Sequence, residues 1–148
     1  MNLKPIFLLL ISIVFLAACK PANEKPGFGK YGMLDPNLPE YAASAFFDHI
    51  FHDDDINGAV EIASPSLARL LKSYHTNRNI QRHVLNLRFD KVEIRPHTGS
   101  AGRNEFAKEA KVIVFFEGEL DGNILKDMRV VDLVRIDKEW KVDKVSIE

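Results

Sequence analysis

Val112-Ile113-Val114-Phe115-Phe116 decides the fold. This apolar run forms the centre of a strand predicted from Glu105 to Glu117, and the pleat sends alternate side chains to opposite faces. Val112, Val114 and Phe116 point one way, Ile113 and Phe115 the other. An antiparallel sheet with helices on one side normally leaves its far face more polar, so two apolar faces call for two covers. One is a helical layer carrying Phe46, Phe47 and Leu70. The other is the amino-terminal linker or a second copy of the chain. Full burial of Ile113 and Phe115 there would contribute ~1.5–3 kcal/mol each, and a homodimer through this face is the expectation.

Downstream, Asp121-Gly122 is a hairpin turn signal, and Ile124 to Ile136 reads as a long return strand. Asp137-Lys138-Glu139 turns the chain into Trp140-Lys141-Val142, and Val145 and Ile147 finish it. Upstream, Phe89, Val92 and Ile94 alternate with charges, and the slip between Phe89 and Val92 predicts a bulge. Pro96 to Asn104, with its two glycines, is a loop.

Further upstream the period becomes helical. From Glu40 to His52, Ala43, Phe46, Phe47, Ile50 and Phe51 fall at i, i+3, i+4, i+7 and i+8, one broad apolar face behind Pro39. Asp53-Asp54-Asp55 breaks that run. Asp55 is expected to cap a short helix carrying Ile56, Ala59, Val60 and Ala63, which Gly58 weakens. Ser64-Pro65 supplies an N-cap and first turn for Leu67, Leu70, Leu71 and Tyr74. A last helix is expected from Asn79 to Asn86, with Ile80, Val84 and Leu87 inward. Helices first and four antiparallel strands after them make an α+β domain over residues 40–148, its helices packed on one face of a curved sheet.

The amino terminus has another purpose. Ile6 to Leu16 is an apolar run behind Lys4, and it ends in the small pair Ala17-Ala18 before Cys19, the single cysteine of the chain. A basic start, a run of this length and small residues before a cut site make a secretory signal over residues 1–18, too short for a membrane span. A lone cysteine in an exported protein has no internal disulfide partner. Lys20 to Pro39 reads as a linker, with Pro21, Pro26, Pro36 and Pro39 among Gly27, Gly29 and Gly32. Phe28, Tyr31, Met33 and Leu34 are apolar enough for its second half to lie against the domain.

Leu16-Ala17-Ala18-Cys19 resembles the lipobox of bacterial lipoproteins. That resemblance implies a diacylglyceryl group on the Cys19 thiol, cleavage before Cys19, and a chain held to a membrane by its lipid. Each buried CH₂ adds ~0.8 kcal/mol, so two or three acyl chains would make the anchor effectively permanent. Aspartate after the cysteine tends to keep such proteins at the inner membrane. Lys20 stands there, which implies the outer membrane, facing the periplasm, in a two-membraned bacterium.

The formal net charge is −1 and charged residues make up 28% of the chain, which gives no electrostatic reason to expect nucleic acid or an anionic membrane surface as partner. Ten Phe promise a real core. Chemistry is sparse. His49 and Asp53 are i, i+4 neighbours with His52 close by, a spacing that invites a metal, but they lie beside or opposite the apolar face and read as a solvated helix end. His75 and His83 read as surface residues beside Arg82. Tyr74 belongs to an apolar face. Asp132, inside Val130-Val131-Asp132-Leu133-Val134, would be costly if buried unpaired. Either it lines a cavity with a raised pKa, with Tyr74 or a His as neighbour, or it pairs with Arg129 or a base on the adjacent strand, or it points to solvent on the outer sheet face. No nucleophile triad, phosphate loop or cofactor motif is legible.

Three features together resemble the nuclear transport factor 2-like superfamily, and within it small bacterial lipoproteins. They are Ala42-Ala43-Ser44-Ala45-Phe46-Phe47, the segment Ala59 to Leu71, and Arg135-Ile136-Asp137-Lys138-Glu139-Trp140-Lys141-Val142-Asp143. The resemblance covers most of residues 40–148. It implies a cone-shaped, cystatin-like arrangement with a cavity between helices and sheet, and often a dimer through the sheet; it carries over no catalytic residue. The function expected is a non-enzymatic interaction or small-ligand-binding module of the envelope. The alternatives are a cone-cavity isomerase or hydratase using Asp132, and a structural subunit of an envelope assembly.

Overall fold

The computed structural model describes residues 34–97 and 106–147. The apolar segment, Cys19, the linker to Met33 and most of the Pro96–Asn104 loop lie outside the described residues. Within them four helices precede four strands: α1 (Pro39–His52), α2 (Asn57–Ile62), α3 (Pro65–Tyr74), α4 (Asn77–His83), β1 (Lys91–Pro96), β2 (Glu109–Leu120), β3 (Asn123–Ile136) and β4 (Glu139–Ser146). The strands form one open antiparallel sheet in the order β1-β2-β3-β4. The fold is α+β. Among the described residues no helix is long and apolar enough to cross a membrane.

The predicted face of α1 is the core. Ala43, Phe46, Phe47 and Ile50 are fully buried. Phe47 meets Phe116 of β2 edge-on, ring centroids 4.8 Å apart, and Phe51 meets Phe89 at 5.8 Å. Such aromatic pairs add ~0.5–1.5 kcal/mol beyond the area they bury, so these contacts fix the helix on the sheet. The buried core cluster and its flanking side chains run from Ala42 to Val145.

Two side chains of α4 close the end of α1, whose last carbonyls have no partner inside the helix. Asn77 Nδ2 donates to His49 O at 3.0 Å, and Gln81 Nε2 to Ile50 O at 2.9 Å. Asn77 Nδ2 also reaches Asp53 O at 2.9 Å and Asp55 O at 2.7 Å, so one amide gathers the helix end and the loop behind it.

The short helices differ from expectation in detail. Asp55 does not occupy the N-cap of α2: its Oδ1 accepts from Asn57 N at 2.8 Å one step earlier, and Ile56 stands at the cap. Ala63 leaves the helix to bridge Val142 in parallel, and Ser64 N donates to Val142 O at 2.7 Å. Ser64 and Pro65 then start α3 as predicted, with Ser64 Oγ accepting from Leu67 N. Leu70, expected in the layer over the sheet, is 45% exposed. At 100° per residue it sits about 60° round the helix from Leu67, and Leu67 and Leu71 take the inward positions. α4 begins at Asn77, two residues before the expected start, because Thr76 caps it by accepting from Asn79 N.

Both hairpins use two-residue turns with positive φ at each position, the type I′ geometry that matches strand twist. They are Asp121-Gly122 (φ 51° and 77°) and Asp137-Lys138 (φ 50° and 72°). The bulge is not where the apolar pattern put it. β1 starts at Lys91, so Phe89 stands outside the strand, with its ring over Gly118 of β2. A Cβ on Gly118 would overlap the Lys91 carbonyl oxygen and stand 2.8 Å from that ring, so the close approach requires glycine. The register slips instead in β4, where Asp132 faces Lys144 and Leu133 faces Val142, leaving Asp143 as the extra residue. That slip turns Val145 toward the core and keeps Lys144 on the outer face.

Val112, Val114, Phe116, Val131, Leu133 and Val142 form the buried face of the sheet. On the other face Ile113 is half-buried and Phe115 is 45% exposed. The two-faced reading of the central strand therefore holds at the level of orientation.

Candidate functional site

Among the described residues, a groove of about 350 Å³ lies between α1, α2 and the β3–β4 turn, beside Pro36 and Asn37 where the described chain enters. Its size falls at the lower end of small-ligand sites. α1 contributes Tyr41, Ala42, Ala45 and His49, a stripe alongside its core face; α2 contributes Gly58, Glu61 and Ile62. Trp140 closes the far wall, and the Arg135 guanidinium lies 5.5 Å from the centre of its ring. Ala42 and Ala45 are small, which leaves room along this side of α1.

The polar groups of the groove are held in place. His49 Nδ1 lies 2.6 Å from Asp53 Oδ2, a contact that leaves Nε2 as the ring nitrogen available to a ligand. The ring rests on Gly58, where a Cβ would stand 2.7 Å from Cε1 and closer still to other ring atoms. Lys141 Nζ donates to Glu61 O at 3.0 Å and to Glu139 Oε2 at 2.8 Å, strapping α2 to β4 across one end. Burial pushes the Tyr41 phenol above its ordinary pKa, so it remains a protonated donor through neutral pH. This arrangement offers a small ligand apolar side chains and the His49 ring in one groove.

Apart from His49, the candidate residues singled out from the sequence lie elsewhere. Asp132 is on the outer face of the sheet, 36% exposed at its side chain, with Oδ1 3.2 Å from Lys111 Nζ, its cross-strand neighbour. Tyr74, half-buried at the end of α3, stacks on His83 with ring centroids 6.0 Å apart. Neither lines the groove, and the two are not brought together. His52 Nδ1 pairs with Asp48 Oδ1 at 2.8 Å, and His75 is exposed. Among the described residues no group of three or more His, Cys, Asp and Glu is placed to hold a metal ion. Cys19 lies outside the described residues.

Tyr41, Trp140 and Lys141 are the groove residues that sequence reasoning missed. The signal available was a second stripe on α1, with Tyr41, Ala45 and His49 four residues apart beside the phenylalanine face. No protein-family model matches this chain, and no curated protein and no solved structure matches it.

Proposed function

We propose that this chain is a lipid-anchored envelope protein whose domain binds a ligand or partner and performs no chemistry. The observation that carries the binding reading is the groove, with the aromatic and aliphatic side chains of Tyr41, Ile62 and Trp140 in its walls and polar groups held in place around them. Leu16-Ala17-Ala18-Cys19 behind the apolar run supports the anchor, and Lys20 supports outer-membrane residence. Helices followed by a four-stranded antiparallel meander, with Trp140 in its last strand, support a nuclear transport factor 2-like assignment.

Native mass spectrometry of the chain purified from envelopes tests the groove. An adduct is expected in the natural chain and should be absent from an Ala45→Trp variant that fills the space; equal spectra for the two would refute the groove as a binding site. Cys19→Ala is expected to abolish the acylated amino-terminal peptide and release the chain from membranes. Unchanged membrane retention of that variant would refute the anchor, and recovery of the natural chain with inner-membrane markers would refute the outer-membrane address.

The domain is also proposed to pair with a second copy through the outer sheet face. Phe115 and Ile113 lie at its centre beside Met128 and Val130, flanked by the ion pairs Lys111–Asp132 and Lys126–Glu117. Sedimentation of the chain from Lys20 onward is expected to give a dimer at tens of micromolar, and Phe115→Asp a monomer. A natural chain that is monomeric there would refute the pairing.

A further inference from the structure

The small net charge conceals a segregation. From Ile62 to Phe89 the chain carries Arg69, Lys72, Arg78, Arg82 and Arg88, with His75 and His83, and no aspartate or glutamate. This segment is α3, α4 and the turn after them. Each of these cations is exposed, and none takes part in an ion pair among the described residues. Three cations on the sheet's outer face, Arg95, Lys111 and Lys126, each touch a carboxylate. Leaving five positive side chains unneutralised on two adjoining helices and the turn after them is unfavourable by mutual repulsion unless something anionic meets them.

A cleft of about 250 Å³ lies at this corner, lined by Arg82, Asn86, Arg88, Leu120, Leu125 and Asp127. The one carboxylate in it is taken, because the buried Arg129 holds Asp127. Two guanidinium groups with no ion pair among the described residues, beside the apolar wall of Leu120 and Leu125, match a phosphate with hydrocarbon behind it.

We propose that the α3–α4 corner docks on a bilayer carrying anionic phospholipid, with headgroup phosphates on Arg82 and Arg88. The inference rests on the anchor reading for its geometry. Fourteen residues separate Cys19 from Leu34, and at full extension the span reaches about 50 Å, so the domain stays near the surface and can touch it. Electrostatic attraction needs that closeness, since it decays over about 8 Å at physiological salt. Each cation brought to an anionic surface strengthens partition roughly fivefold.

The test uses the chain from Lys20 onward, which retains every described residue and lacks the lipid, in sedimentation with vesicles of phosphatidylcholine alone or mixed equally with phosphatidylglycerol. Binding is expected only to the mixed vesicles, and it should disappear in 0.5 M salt. Arg82→Gln with Arg88→Gln should weaken it about 30-fold. Lys108→Gln with Lys144→Gln, an equal charge change at exposed positions away from the β2–β3 turn, should alter it less than twofold. Absence of binding at low salt, equal binding to both vesicles, or equal loss in the two double variants would each overturn the proposal. Salt-sensitive retention on polyglutamate without vesicle binding would overturn it in favour of an acidic protein partner. The assay omits the anchor, so its failure leaves the Cys19 reading standing, and failure of that reading appears separately in the fractionation of Cys19→Ala.

Discussion

Replacing Asn77 with alanine removes the amide that ties α4 to the end of α1 and the loop behind it. Its Nδ2 lies 3.0, 2.9 and 2.7 Å from the carbonyl oxygens of His49, Asp53 and Asp55. An NH₂ group has two hydrogens, so two bonds are full and the third contact shares one of them. A net ~0.5–1.5 kcal/mol per bond, with the added cost of carbonyls left short of a donor in a buried place, gives a loss of about 2–4 kcal/mol. For a domain of this size that lowers Tm by roughly 8–15 °C. Asn77→Asp keeps the shape but sets carboxylate oxygens against the same carbonyls, and at pH 7 it should be no less damaging than alanine. Urea unfolding followed through Trp140 measures both. A loss under about 1 kcal/mol for Asn77→Ala, with an unchanged denaturant slope, would refute the clip. The same substitution should free the Asp53 loop and, with it, the His49–Asp53 contact at the groove.

Gly118→Ala should cost more than ~2 kcal/mol, because the new methyl would overlap the Lys91 carbonyl oxygen and the strands must part to admit it; a thermal midpoint within 2 °C of the natural chain would contradict this. Lys126, hydrogen-bonded at 2.9 Å, and Arg95 hold the Glu117 carboxyl below the usual carboxylate range. A depressed folded pKa contributes stability that is present above the unfolded value, near ~4.3, and is lost as pH falls through the folded one. The gap in urea midpoint between the natural chain and Glu117→Gln should therefore be constant above about pH 5 and narrow below pH 4, and a gap independent of pH would contradict it.

The elements that were legible in the sequence are those whose signals are local. Phe46, Phe47 and Ile50 recur at helical spacing, Ser64-Pro65 is a complete start signal, and Asp121-Gly122 fixes a hairpin between two residues. What was not legible depends on residues distant in sequence. The bulge at Asp143 follows from the need to bring Val145 to the core while Lys144 remains opposite Asp132. The start of α4 follows from Thr76 as a cap. Phe89 reads as a strand residue by its phase, and only the bare backbone of Gly118 explains why its ring reaches the inner face without being in the strand.

The candidate site was hidden for the same reason. Asp132 drew attention because its neighbours Val131 and Leu133 are apolar, but in a strand the neighbours at i−1 and i+1 belong to the other face. The environment of a strand carboxylate is decided by its cross-strand partner, here Lys111. Tyr41 and Trp140 are 99 positions apart in the sequence and share a groove only because α1 lies across the sheet near the β3–β4 turn. Charge follows the same logic: acids on the α1–α2 loop and the sheet offset the bases of α3 and α4 in the sum, while the surface potential near each corner depends on what lies within a Debye length. A near-neutral total therefore argued against an anionic partner only as long as the charges were taken to be mixed, and the exposed, unpaired arginines of the α3–α4 corner remove that premise.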